Sequence, residues 1–187
     1  MSVYRGEDAV SQALTACQEN EQHSGGHSWG FAAVTDDGLE IGHGLGEIPP
    51  YVSSVCDGSE LALGHTRHAT RGEITLENAH PFPVYDAEGE AVAALAHNGT
   101  WYEAPDDGRC DSYHIARLLE TMYRHNDEPF EDVVRDAGEI TGETITVIHR
   151  DGRAFAYAGR FGITTDGEAA IRSSGEEPIR PGRVVEL

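Results

Sequence analysis

Three observations predict an α+β chain with antiparallel sheets. Apolar runs that read as strands are joined by turn dipeptides, Asp37-Gly38 and Asp151-Gly152, and not by helices. The clear helical periodicities fall near the start and the centre instead of alternating with every strand. The chain has 187 residues, 39% hydrophobic and 25% charged, which is enough to bury a core without disulfide or metal staples. No repeat, low-complexity tract or long Pro/Gly linker divides it, so residues 1–187 are expected to form one domain.

The elements follow in order. Ala9, Val10, Ala13, Leu14 and Cys17 recur at helical spacing and predict a helix from Glu7 to about Gln22, closed by Gly25-Gly26. Trp29 to Thr35 and Leu39 to Leu45 read as strands around Asp37-Gly38. Leu61 to Thr66 and Ala91 to His97 are short apolar runs bounded by turn residues, so both predict buried strands. A second helix follows Asp111, with Ile115, Leu118, Leu119, Met122 and Tyr123 on one face and Asp111 or Ser112 as its cap. A third spans Pro129 to Ile140. Thr144 to His149 and Arg153 to Ala158 form a hairpin, and short strands are expected at Ala169 to Ser173 and Arg183 to Leu187. Beyond Ile140 the sequence offers strands but no legible chemistry.

Charge narrows the function. There are 33 Asp and Glu against 13 Lys and Arg, a net charge of −20, and every one of those cations is Arg. The acidity is spread along the chain. Together with the loss of Lys it points to adaptation to high salt, where repulsion is screened within ~3 Å at molar concentration. A nucleic-acid partner is disfavoured, because a phosphate backbone needs a cationic surface. No apolar run reaches the ~18–20 residues that cross a bilayer, and the start lacks a secretory pattern, so a cytoplasmic location is expected. Cys17, Cys56 and Cys110 are an odd set without paired spacing, which suits a reducing compartment. His65 and His68, and His23 and His27, have no Cys or carboxylate to complete a metal set, so no metal is expected.

Two loops carry chemistry. One runs Gly64-His65-Thr66-Arg67-His68-Ala69-Thr70-Arg71-Gly72 and on to Asn78-Ala79-His80-Pro81; the other is Ala96-His97-Asn98-Gly99-Thr100. Each directly follows an apolar strand, where a loop presents polar groups at a sheet end. Arg67 offers a planar fork for a carboxylate. Asn98 and Gly99 offer a side-chain and a backbone N–H, the parts of an oxyanion hole. Asp111 is an anion suited to an ammonium group. Taken singly, each has a plainer reading: a surface ion pair, a hairpin turn, a helix cap. Taken together they describe a site for a free amino acid with a reactive side-chain carbonyl, and glutamine fits.

These blocks resemble the class II glutamine amidotransferase domain, a member of the N-terminal-nucleophile hydrolases. His65-Thr66-Arg67-His68-Ala69-Thr70 is similar to the family's H-T/V-R-W-A-T, with His68 in place of Trp. Asn78-Ala79-His80-Pro81 matches N-A-H-P, His97-Asn98-Gly99 matches H-N-G, and Asp111-Ser112 opens a helix as the family's S-D-T/S does. Ser28-Trp29-Gly30-Phe31-Ala32 is similar to its D-S-A-G-I-A strand entry. The resemblance runs from about Ala9 to Leu119. It implies a four-layer αββα sandwich of two antiparallel sheets. It also implies that Arg67, helped by Thr70, holds the α-carboxylate of glutamine, Asp111 its ammonium, and Asn98 and Gly99 the oxyanion. No cofactor is implied. An active domain would hydrolyse glutamine to glutamate and ammonia for a separate synthase subunit, and a homo-oligomer is left open.

The departure is at the start, where the family has Met-Cys-Gly-Ile and this chain has Met1-Ser2-Val3-Tyr4. Three expectations stay open. Ser2 is the nucleophile, activated by its own amine after loss of Met1. Or an upstream segment carries the Cys. Or hydrolysis is lost, and the domain serves as a binding or structural component of a larger assembly, a host complex or a virion of a salt-adapted organism. Cys17 lies mid-helix and reads as a small apolar residue.

Overall fold

In a strand, successive side chains point to opposite faces, and in this chain both faces are covered. The computed structural model describes residues 1–52, 58–166, 170–172 and 182–186. Strands β1 (Ser2–Arg5), β2 (Ser28–Thr35), β3 (Gly38–Leu45), β4 (Leu61–Arg67), β9 (Thr164–Asp166) and β10 (Ala170–Arg172) form one antiparallel sheet in the order β3-β2-β4-β1-β10-β9. Strands β5 (Phe82–Tyr85), β6 (Ala91–Asn98), β7 (Thr144–His149), β8 (Ala154–Tyr157) and β11 (Val184–Glu186) form the other, in the order β11-β8-β7-β6-β5.

The burial pattern stacks the layers. Helix α1 (Ala9–Ser24) packs Ala9, Val10, Ala13, Leu14 and Cys17 against Trp29, Phe31, Ala33 and Ala62 of the first sheet. The alternate residues of the same strands, Val3, Ala32, Leu61 and Leu63, turn inward to meet Ala94, Ala96, Ile148, Ala154 and Ala156 of the second sheet. Six of the eleven buried members of this inner layer are alanines, so short side chains line the seam between the sheets. On the far side, Leu95, Ile145, Val147, Phe155 and Tyr157 pack under α2 (Asp111–His125) and α3 (Phe130–Thr141). The result is α+β with antiparallel sheets, as the sequence pattern predicts, and a four-layer αββα sandwich, as the resemblance implies. Gly138 of α3 lies flat on the Tyr157 ring, where an added Cβ would come within 2.2 Å.

Three strands have no clear signal in the sequence. β1 has only Val3 and Tyr4 as apolar members, and β9 has three residues. β5 contains Pro83, which argues against a central strand, and it takes the edge of its sheet where proline is tolerated. The predicted strand at Ala169 to Ser173 is observed over Ala170–Arg172; its two end residues lie outside the described residues, as does Cys56. Among the described residues no helix is long and apolar enough to cross a membrane.

Candidate functional site

The site forms where one strand from each sheet ends. β4 delivers Arg67 and β6 delivers Asn98, and the two strand ends are tied across the seam: His65 Nε2 donates to the His97 carbonyl at 3.2 Å. A cleft of about 490 Å³ opens there, within the ~300–1,000 Å³ usual for small-molecule sites. It is lined by Arg67, Thr70, Asn98, Gly99 and Asp111, joined by Met1, His65, Thr66, His68, Arg71, His80, His97, Thr100, Tyr102, Ser112, Arg160 and Phe161.

Arg67 is 4% exposed. Its Nη1 donates to the Glu73 carbonyl at 3.2 Å and its Nη2 to that of Arg71 at 2.6 Å. A guanidinium has five N–H donors, so these two bonds fix its plane and leave it capacity for a ligand. Burial pulls its pKa down, against the upward pull of Cys110 and Asp111. Arg71 then laces the two loops together, donating to the carbonyls of Trp101, Tyr102 and Ala104. Thr70 Oγ1 meets Thr100 Oγ1 at 3.1 Å across the same gap.

Asp111 begins α2 as expected, but its carboxylate does not cap the helix: the cap position is Cys110, without a side-chain hydrogen bond. Oδ2 instead accepts from the Trp101 N–H at 2.8 Å, and Oδ1 accepts from the Ser112 N–H at 3.1 Å. The carboxylate is thus spent on holding the loop after Asn98-Gly99 while keeping lone pairs for an ammonium group. Asn78 braces the start of α2 from below: its Oδ1 accepts from the Cys110 N–H, and its Nδ2 donates to the carbonyls of Glu73 and Gly108.

Behind the Asn98-Gly99 turn lie buried polar groups. His97 Nδ1 sits 2.9 Å from Ser112 Oγ, and His97 Nε2 sits 3.8 Å from Oε2 of Glu143, both side chains 1% exposed. Gly99 has φ +142, and a Cβ there would fall 2.0 Å from Glu143 Oε2. Only glycine allows this approach. His65 and His80 stack with ring centroids 4.0 Å apart, and burial above all pushes both imidazoles well below their ordinary pKa. They are neutral near pH 7. No group of three or more His, Cys, Asp or Glu among the described residues is arranged to hold a metal.

Ser2 is placed apart from the others. It is buried in β1, and its hydroxyl donates to the Ala13 carbonyl of α1 at 3.3 Å, on the helix side of the sheet. Met1, one position earlier in the alternation, lines the cleft. Cys17 is buried on α1, and burial raises its thiol pKa. The stretch beyond Ile140, expected to be silent, contributes Glu143 behind the turn and Arg160 and Phe161 to the cleft wall. No local pattern marks Arg160; it enters only because β7 and β8 pair beside β6.

No family model matches the chain. It is 30% identical over 166 residues to the glutamine–fructose-6-phosphate aminotransferase of Halobacterium salinarum, covering 80% of this chain and 26% of that protein. It is 37% identical over 82 residues to an amidophosphoribosyltransferase of Lacticaseibacillus casei, covering 42% of this chain and 41% of that protein. The chain therefore spans well under half the length of these relatives. Among solved structures, the glutamine phosphoribosylpyrophosphate amidotransferase of B. subtilis, complexed with ADP and GMP, superposes with a TM-score of 0.67 at 20% identity, over 91% of this chain and 40% of that one. A structure of the allosteric regulatory enzyme of purine biosynthesis superposes with a TM-score of 0.68.

Proposed function

We propose that this chain, which belongs to the class II glutamine amidotransferase domains of the N-terminal-nucleophile hydrolase fold, uses its cleft to hold free glutamine. One observation carries the reading. Arg67, Asn98, Gly99 and Asp111 come from three separate segments and line one cleft. Arg67 takes the α-carboxylate through its fork, with Thr70 beside it. Asp111 takes the α-ammonium. The Asn98 side-chain amide and the Gly99 N–H face the side-chain carbonyl and would stabilise the charge that develops on it.

Ser2 is disfavoured as the nucleophile of a turnover reaction by its position, since its hydroxyl is bonded to α1 and not presented to the cleft. Hydrolysis of glutamine to glutamate and ammonia is the second reading. It requires a nucleophile at the start of β1 and a synthase to consume the ammonia. Residues 1–187 act as one domain in either case. The spread of carboxylates and the exclusive use of Arg support a salt-adapted protein of the cytoplasm.

The test is calorimetric titration of L-glutamine into the purified chain at molar salt, beside a glutamate-release assay. The expected result is binding that is lost in Arg67→Ala and Asp111→Asn with the far-ultraviolet spectrum retained. Unchanged affinity in Arg67→Ala would overturn the pocket assignment. Glutamate release that disappears in Asn98→Ala would move the conclusion from binding to catalysis.

A further inference from the structure

The charges that line the cleft are out of keeping with the rest of the molecule. The chain carries a net charge of −20, yet the cleft presents three guanidiniums, Arg67, Arg71 and Arg160, against the single carboxylate of Asp111. Two of the three have work already. Arg67 faces the same end as Asp111, and Arg71 is spent on the carbonyls of the 101–104 loop. Arg160 has neither role. Its side chain is 57% exposed, and its one ion pair among the described residues is a contact of 3.7 Å from Nη2 to Oε1 of the buried Glu143. That is longer than the ~2.7–2.9 Å of a charge-assisted hydrogen bond.

Its backbone is anchored on both sides. The Arg160 N–H donates to the Gly142 carbonyl at 3.1 Å. On either side, the N–H groups of Gly159 and Phe161 donate to Thr144 Oγ1 at 3.1 and 3.0 Å. The end of the cleft that it serves is equally clear. Glu143 touches Arg160 through Oε1, and its Oε2 is the atom a Cβ on Gly99 would strike. One buried carboxylate therefore joins the guanidinium of Arg160 to the Asn98-Gly99 turn. Arg160 is thereby linked to the Asn98-Gly99 end of the cleft.

We propose that the cleft prefers the acid to the amide, and that its tighter ligand is an α-amino dicarboxylate of glutamate's length, with Arg67 on the α-carboxylate and Arg160 on the side-chain carboxylate. This rests on the reading of the cleft given above and adds the charge of the ligand to it. Glutamate and glutamine have nearly the same shape, so shape cannot separate them. A guanidinium can: it gives a carboxylate two charge-assisted bonds and gives a neutral amide oxygen a weaker one. Glutamine arrives as a neutral zwitterion and offers Arg160 no charge beyond its loose 3.7 Å contact with Glu143. Glutamate brings a carboxylate free to approach at charge-assisted hydrogen-bond distance.

The experiment is calorimetry of the whole chain with L-glutamate and with L-glutamine in the same buffer, repeated with R160Q. Wild type is expected to bind glutamate at least fivefold more tightly. R160Q is expected to lower glutamate affinity to the glutamine level while moving glutamine affinity by less than twofold. Arg160 is surface-exposed, and circular dichroism checks that the variant is folded. Equal binding of the two by wild type, tighter binding of glutamine, or a preference that survives in R160Q would overturn the inference and leave the glutamine-holding reading intact. Binding of neither by wild type would overturn both.

Discussion

On the loop side of the cleft, β4 and β6 end side by side and deliver Arg67, Asn98 and Gly99, braced by Arg71, Asn78 and Asp111 through seven hydrogen bonds to backbone groups. On the strand side, β1 delivers Met1 to the cleft and turns the Ser2 hydroxyl back to Ala13. The first side gathers the groups proposed for recognition. The second turns its one hydroxyl away from the cleft, toward α1. The difference teaches that binding and attack are encoded separately. Recognition needs many groups in concert, while attack depends on which residue of one strand faces inward, and in a strand of period two a shift of one residue reverses that.

The strongest way to break this contrast is to place a nucleophile on the cleft side of β1. Met1→Cys, made with a removable initiator methionine in front, puts a thiol with its own α-amine on the cleft side of β1. If the loop side is complete, glutamate release is expected to rise from background by at least a hundredfold, read by a coupled glutamate assay. Glutamine binding without release would show that the loop side lacks the geometry for chemistry as well.

Next in size is damage to the loop side itself. In Gly99→Ala the new Cβ meets the Glu143 carboxylate at 2.0 Å, at a φ of +142. Glu143 is buried, so its carboxylate can yield only by shifting within the packed interior. Backbone strain and overpacking together predict a loss of roughly 2–6 kcal/mol in urea unfolding, with ligand binding lost. Gly152→Ala is the control. Its φ is +89 with nothing within 4 Å of the added carbon, so only strain of about 1–3 kcal/mol is expected there and binding is unchanged. Similar losses in both variants would show that Glu143 does not buttress the turn.

The same contrast marks what the sequence could disclose. Arg67, Asn98, Gly99 and Asp111 were legible because each sits in or just after a short motif at the end of a strand, and because the segments keep their order. The antiparallel α+β class was legible from hairpin dipeptides and helical spacing, and the four layers from the family resemblance. Arg160 and Glu143 were not, because their relation to Gly99 is created by the pairing of β6 with β7, residues far apart in the chain. The inward face of β1 was not, because four residues with two apolar members carry too little pattern to reveal a strand, let alone its phase.

A smaller effect comes from the imidazoles where the two strands meet. His65 and His80 are depressed well below their usual pKa by burial. The folded protein then binds fewer protons than the unfolded chain below about pH 6.5, so stability is full above that pH and falls as the solution is acidified. Each histidine contributes a slope of up to about 1.4 kcal/mol per pH unit. His80→Leu removes one of the two, and the drop in urea midpoint between pH 7.5 and pH 5.5 is expected to shrink, with the remainder carried by His65 and by His43 and His149, which burial also lowers. Parallel slopes for variant and wild type would mean that the strand junction does not set the acid limit.

The smallest expected effect is the most direct measure of the strand side. Ser2→Ala removes one buried hydroxyl whose bond goes to the Ala13 carbonyl. A bond of this kind is worth about 1 kcal/mol, and the carbonyl belongs to a helix whose own N–H groups keep it partly satisfied. The urea midpoint should therefore fall slightly, while glutamine affinity stays within error of wild type, because nothing on the loop side touches this hydroxyl. The pair of readouts matters more than either alone. A hydroxyl facing the cleft would give the reverse pattern, with stability little changed and binding or glutamate release impaired, and would place Ser2 with the groups that act on the ligand.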